Sequence, residues 1–120
     1  MTVLVVEDMA DLLEALVVLL QSDGYRVVSA RDGESALRVA TEEDADLIVM
    51  DHRLPLKSGA EVAEVLEQSG AARPRVVMHT ATPEEEVRRT WDGYDDFLKK
   101  PCAPERLLAT VGNLLGGGCP

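Results

Sequence analysis

Short apolar runs alternate along the chain with stretches whose apolar residues recur at helical spacing. The first run, Thr2 to Val6, predicts a strand. Met9, Leu12, Leu13, Leu16, Val17 and Leu20 follow at i, i+3, i+4, i+7, i+8, i+11, the stripe of a helix with one buried face. That helix stops at Ser22-Asp23-Gly24, where glycine suits the left-handed residue past a helix end. Tyr25 to Ser29 predicts a second strand, and Asp32-Gly33-Glu34 opens a short helix carrying Ala36, Leu37 and Ala40. Asp46 to Met50 predicts a third strand. Its Leu47-Ile48-Val49-Met50 is apolar on both faces, as in parallel sheets covered on two sides. Ser58-Gly59 begins a third helix with Val62, Val65 and Leu66 inward, and Arg75 to His79 predicts a fourth strand. Thr82-Pro83-Glu84-Glu85 is a helix start with threonine as N-cap and proline in the first position. Only Val87 and Trp91 form the apolar stripe there, so this fourth helix is the least firmly docked. Asp95 to Leu98 predicts a fifth strand. Pro104 opens a last helix with Leu107, Leu108, Val111, Leu114 and Leu115 inward, ended by Gly116-Gly117-Gly118.

The order is strand then helix, five times, at roughly 24 residues per unit. Right-handed crossovers and two-sided coverage favour an α/β fold with an open, doubly wound, five-stranded parallel sheet. Five units are too few for an eight-stranded barrel. The chain has 120 residues, enough for one core and no second. Its net charge of −10 argues against direct nucleic-acid binding, since like charge repels a phosphate backbone. One Trp, two Tyr and one Phe are too few for a base-stacking platform. The two cysteines, Cys102 and Cys119, lack zinc-ligand spacing and read as a small apolar filler and a tail thiol. No apolar run approaches the roughly 20 residues that span a bilayer. The start of the chain lacks signal-peptide features, so the expected compartment is the cytoplasm.

In an open parallel sheet, ligands sit outside the carboxyl ends of the strands. Glu7 and Asp8 follow the first strand, Asp51 the third, Thr80 the fourth, and Lys100-Pro101 the fifth. Taken singly, each has a plain structural use: Asp8 as a helix cap, Lys100 as a solvated lysine, Thr80 as a strand residue. Together they place three carboxylates, a hydroxyl and an ammonium on one rim. Two carboxylates about 4 Å apart repel by about 4 kcal/mol at an effective dielectric of 20. A hard divalent cation relieves that cost, and oxygen-only ligands favour Mg²⁺, with Mn²⁺ as the alternative. A carboxylate can also attack phosphorus to form an acyl phosphate. Asp51 is the best nucleophile because its strand is central in the doubly wound order.

In this order the residues resemble the receiver domain of bacterial two-component response regulators, of the chemotaxis-regulator kind. The resemblance runs from Val3 to Leu115. It is carried by Val5-Val6-Glu7-Asp8, Met50-Asp51-His52-Arg53-Leu54-Pro55 with Gly59, Met78-His79-Thr80-Ala81, and Asp95-Asp96-Phe97-Leu98-Lys99-Lys100-Pro101. It implies a flavodoxin-like fold with strand order 2-1-3-4-5, residues 1–115 as the receiver, and 116–120 as a Gly-rich tail or the start of a linker. It further implies Asp51 as phosphoacceptor and Mg²⁺ held by Glu7, Asp8, Asp51 and the backbone carbonyl of Arg53. Lys100 would pair with the phosphoryl group and Thr80 would be the switch hydroxyl. Ala81 would keep the path to Asp51 open, Phe97 would be the aromatic that turns with the switch, and Pro101 would follow a cis bond. The implied partners are a sensor histidine kinase or phosphotransfer protein upstream and a downstream protein on the face of the fourth helix, fifth strand and fifth helix. The expected state is a monomer or a phosphorylation-dependent homodimer, with no membrane partner and output by protein contact.

The sequence departs from the family pattern in places. Leu54 stands where Met is usual, His79 where an aliphatic residue is more common, and Tyr94 where a small residue is usual. His79 reads as a satisfied structural histidine. Arg53 and Thr82 border the site, and Arg53 is either a residue that governs access of water to an acyl phosphate or a solvated arginine. Two rivals stand beside the switch. One is an Mg²⁺-dependent phosphatase with an aspartate nucleophile, disfavoured by Arg53 where a second Asp is frequent. The other is a degenerate receiver acting as a scaffold, disfavoured by the complete set Glu7, Asp8, Asp51, Thr80 and Lys100.

Overall fold

The computed structural model describes residues 1–69 and 74–116. The elements are β1 (Thr2–Val6), α1 (Ala10–Ser22), β2 (Arg26–Ala30), α2 (Gly33–Glu42), β3 (Leu47–Met50), α3 (Gly59–Gln68), β4 (Arg75–Thr80), α4 (Glu84–Thr90), β5 (Asp96–Lys99) and α5 (Pro104–Leu114). The strands form one parallel sheet in the order β2-β1-β3-β4-β5, as expected for a flavodoxin-like α/β fold. β3 is central and all four of its residues are buried.

Strand side chains alternate between faces. Leu4, Val6, Ile48, Met50, Val76 and Met78 therefore face α2, α3 and α4, where Ala36, Ala40, Ala60, Val62, Ala63 and Val87 meet them. Val3, Val5, Leu47, Val49, Val77 and Leu98 face α1 and α5, against Leu16, Leu20, Leu107 and Val111. Among the described residues no helix is long and apolar enough to cross a membrane. Cys102 is half-buried and packs against the second layer, while Cys119 and most of the glycine tail lie outside the described residues.

Several edges differ from the pattern-based expectation. β2 begins one residue later than Tyr25 and ends at Ala30. β5 begins at Asp96, and Asp95 just before it is joined to Val76 of β4 twice, its N donating to Val76 O at 2.8 Å and its carboxylate accepting from Val76 N at 2.7 Å. Met9, expected inward, is the N-cap of α1 and is exposed. Val65 is also exposed, since it lies on the rim of the α3 stripe. α4 is capped by Pro83 rather than Thr82, and no side chain caps it. The Thr82 hydroxyl is engaged elsewhere, accepting from Arg53 Nε at 3.1 Å. Trp91 is buried, but it is the extended C-cap residue of α4 rather than part of its helical face. Among the residues of α4 itself only Val87 is buried. Its ends are instead tied to the following loop by Tyr94, whose hydroxyl donates to Glu84 Oε2 and accepts from Arg88 Nε at 3.0 Å.

α3 starts with a reciprocal cap between Ser58 and Glu61. Its first residue, Gly59, lies against the end of β3. A Cβ there would stand 2.1 Å from the Asp51 carbonyl oxygen and 2.8 Å from Met50 Cγ. Gly59→Ala is therefore expected to cost about 3 kcal/mol in urea unfolding, through forced displacement of packed backbone. Gly24→Ala, where nothing lies within 4 Å and only the φ of +95° is strained, is expected to cost about 1 kcal/mol. Equal losses at the two positions would show that the close approach of α3 to β3 is not tight.

Candidate functional site

The site lies at the carboxyl edge of the sheet, where the backbone ladder runs one residue past the strands. Glu7 N donates to Ala30 O at 3.1 Å, Asp51 N to Val6 O at 3.1 Å, and Lys100 N to Thr80 O at 2.9 Å. These bonds hold the main chain of Glu7, Asp51 and Lys100 against neighbouring strands, so their side chains leave from a rigid rim. Thr80, the last residue of β4, is fully buried.

Lys100 Nζ lies between two carboxylates. It donates to Glu7 Oε1 at 2.6 Å and to Asp51 Oδ2 at 2.8 Å. Glu7 is almost wholly enclosed, and its second oxygen accepts from Met9 N at 3.1 Å. Asp51 is buried, and its second oxygen accepts from Arg53 N at 3.2 Å. Burial alone would raise the Asp51 pKa. The Lys100 hydrogen bond, the Thr80 hydroxyl, the Lys100 charge and the Arg53 N–H outweigh it and hold the carboxyl below its usual value. Burial would lower the Lys100 pKa, but bonds to Asp51 and Glu7 raise it above normal. Asp51 is thus an anion and Lys100 a cation at neutral pH.

Around this ion triplet runs a chain of smaller contacts. Thr80 Oγ1 accepts from Thr82 N at 3.2 Å, and Thr82 Oγ1 accepts from Arg53 Nε at 3.1 Å. Asp51, Arg53, Thr82 and Thr80 are thereby joined over the end of the sheet. Ala81 is exposed beside them. Phe97 is half-buried on β5, paired in register with Met78, and its ring centroid is 5.7 Å from that of Tyr94. The Lys100–Pro101 peptide bond is cis.

Asp8 is placed differently from Glu7. It is exposed, its carboxylate has no partner among the described residues, and its carbonyl accepts from Arg31 at 3.0 Å. With His52, Arg53 and Pro55 it lines an open depression of about 480 Å³. Among the described residues no three His, Cys, Asp or Glu side chains are gathered as a metal cluster. The expected convergence of three carboxylates is therefore two acids on one ammonium with a third at the edge. The donors suit a hard divalent cation all the same: they are oxygens, Asp8 is unpaired, and the Arg53 carbonyl accepts no hydrogen bond among the described residues.

The profile of the response regulator receiver domain matches residues 3–112. The chain belongs to the response regulator receiver domain family. It is 38% identical over 112 residues to the phosphate regulon transcriptional regulatory protein PhoB of Klebsiella pneumoniae, covering 91% of this chain and 49% of that protein. The chain thus spans about half the length of the curated relatives it matches. The BeF3-activated DrrB receiver domain superposes with a TM-score of 0.83 at 31% identity, covering 96% of this chain and 97% of that one. The response regulator TrrA of Thermotoga maritima, solved in complex with Mg²⁺-BeF, superposes with a TM-score of 0.85 at 27% identity, covering 94% and 97%. Receivers act in two-component signal transduction; they are phosphoacceptors rather than conventional enzymes, use Mg²⁺, and imply a histidine kinase partner.

Position past the strands found Glu7, Asp51, Thr80 and Lys100, and the structure brings the Glu7, Asp51 and Lys100 side chains into direct contact. One reading needs correction. His79 is buried but not satisfied: its ring has no hydrogen-bond partner among the described residues. The signal was its departure from the aliphatic residue usual in this receiver strand.

Proposed function

We propose that this receiver is a phosphorylation-operated switch in which Asp51 accepts a phosphoryl group from a phosphohistidine of a sensor kinase or phosphotransfer protein. An Asp51 carboxylate oxygen attacks phosphorus, the P–N bond breaks with its electrons going to the imidazole, and the freed imidazole takes up a proton from solvent. Lys100 holds Asp51 ionised before transfer and neutralises a phosphoryl oxygen afterwards. Thr80 Oγ1 accepts from Thr82 N, and its own proton, which helps hold Asp51 ionised, passes to another phosphoryl oxygen once Asp51 carries the group. Glu7, Asp8, Asp51 and the Arg53 carbonyl would hold Mg²⁺ or Mn²⁺. When bound, that ion supplies positive charge toward the phosphoryl oxygens.

Exposed Ala81 leaves the approach to Asp51 open. Phe97 turns with the Thr80 hydroxyl and remodels the face of α4, β5 and α5, where it lines a depression together with Pro83, Glu84, Lys99 and Arg106. A downstream protein docks there, and output is by protein contact with no direct nucleic-acid or membrane partner. The receiver is residues 1–115 and the glycine segment 116–120 a tail or linker start, in a cytoplasmic protein that is a monomer or a phosphorylation-dependent homodimer.

The Lys100 ammonium shared by Glu7 and Asp51 is the observation that carries this reading. The test offers acetyl phosphate and Mg²⁺ and follows intact mass. One added phosphoryl group, sensitive to hydroxylamine, is expected in the parent and absent in Asp51→Asn or in excess chelator. A parent that stays unmodified leaves the scaffold reading in its place.

A further inference from the structure

His79 lies one residue before the switch threonine but points to the opposite face of the sheet, with Val77, toward α1 and α5. There a cavity of about 570 Å³ opens between α1, the end of β4 and the β5–α5 turn. Leu12, Leu16, Leu19, Pro101 and Leu107 line it together with His79. Its size is that of a small-molecule pocket, and its wall has the usual makeup of one, apolar with very few polar groups.

The polar group is unusual in being unspent. His79 is 5% exposed, and its ring nitrogens have no hydrogen-bond partner among the described residues. Buried polar side chains nearly always have one. The described polar side-chain atom that is both sealed off and unpartnered is Trp91 Nε1, so the His79 nitrogens keep an opening, and the cavity is lined by this residue. The ring is neutral at physiological pH, because burial and the Lys100 charge push its pKa down to about 4. A neutral imidazole offers one N–H donor and one bare nitrogen acceptor. A hydroxyl complements either, since it both donates and accepts.

Charge narrows the class further. Lys100 also borders the cavity, but its ammonium is engaged by Glu7 and Asp51 and is not free to hold an anion. The chain's net charge of −10 opposes an anion as well. A cationic ligand would meet the Lys100 ammonium. We propose that this cavity binds a neutral, mainly apolar small molecule with a single hydroxyl, of the phenol class, its hydroxyl on the His79 ring and its body against Leu12, Leu16 and Leu107. The site does not depend on the phosphoacceptor reading, because the unphosphorylated chain already carries it.

The test titrates the full chain with p-cresol and records amide and histidine ring shifts by NMR. Saturable shifts are expected at His79, along α1 and in the β5–α5 turn. Toluene, which lacks the hydroxyl, should bind at least tenfold more weakly, and His79→Leu should weaken p-cresol binding at least tenfold. Ala15 is exposed at the mouth of the cavity, so Ala15→Trp should block binding without disturbing the core. Shifts that do not saturate, that map elsewhere, or that are unchanged in His79→Leu and with toluene would overturn the proposal. The same titration on Asp51→Asn should match the parent, which keeps this result separate from the fate of the phosphorylation test.

Discussion

In Lys100→Met, unfolding free energy at pH 7 is expected to fall by about 3–5 kcal/mol, the cost of stripping one partner from a buried ion cluster. The methionine keeps the stem of the side chain, so the loss reports the ammonium rather than packing. Glu7 Oε1 and Asp51 Oδ2 both touch Nζ at present, and without it two enclosed carboxylates face each other. The pH dependence then changes sign at this site. In the parent, the depressed Asp51 pKa contributes stability above 3.8, lost as pH falls through the folded value. The raised Lys100 pKa contributes stability below 10.5, lost as pH rises through the folded value. In the variant, mutual repulsion raises a carboxylate pKa, so acidifying from pH 7 toward 5 should restore part of the loss. Mg²⁺ should stabilise the variant more than the parent, since it supplies the missing positive charge. Urea melts at pH 5 and 7, with and without the ion, measure all of this. A loss below about 1 kcal/mol would mean that the cluster is solvated like an ordinary surface pair.

Much of this arrangement is legible in the sequence. Leu47-Ile48-Val49-Met50 matches a strand covered on both faces, and the structure places it at the centre of the sheet. Glu7, Asp51, Thr80 and Lys100 stand at or just past the strand ends, and parallel strands deliver those positions to one edge. Helix rims were less legible. The periodicity that places Leu16 and Leu20 inward also nominates Met9 and Val65, since a 3.6-residue period cannot say where a stripe stops. Thr82 looked like a cap because local sequence favours it, but a longer-range bond from Arg53 claimed its hydroxyl.

Which side chains meet on that rim is less legible. Lys100 and Glu7 are 93 residues apart, and nothing local indicates that the ammonium sits between two acids rather than in solvent. The same holds for Asp8, whose neighbour Glu7 is enclosed while it is not. Adjacent residues at a strand end point to opposite sides, and only the packing decides which side is covered. Tyr94 was visible as a departure, yet its grip on both Glu84 and Arg88 depends on how the loop after α4 folds back.

Between pH 6.5 and about 4 the parent should lose about 3 kcal/mol of stability to His79 alone. Its folded pKa is lowered from 6.5 to about 4 by burial and by Lys100, with Asp51 opposing them. Throughout that window the unfolded chain binds a proton that the folded chain refuses, so stability rises with pH. The contribution is complete above the unfolded pKa and is lost on acidification; a shift of this size corresponds to about 3 kcal/mol at 1.36 kcal/mol per unit. His79→Leu removes the titrating group and fits the apolar wall made by Leu12, Leu16 and Leu107. The variant should therefore be nearly flat across the window and keep only the carboxylate-driven fall below it. Acidification distinguishes the two possible states of this ring. A histidine with a satisfied hydrogen bond to an acid would stabilise the fold as it became charged, whereas an unpartnered one facing an apolar cavity must destabilise it. Urea melts at half-unit steps from pH 7 to 4 decide between them, and a parent slope equal to that of His79→Leu would show that the ring is already solvated.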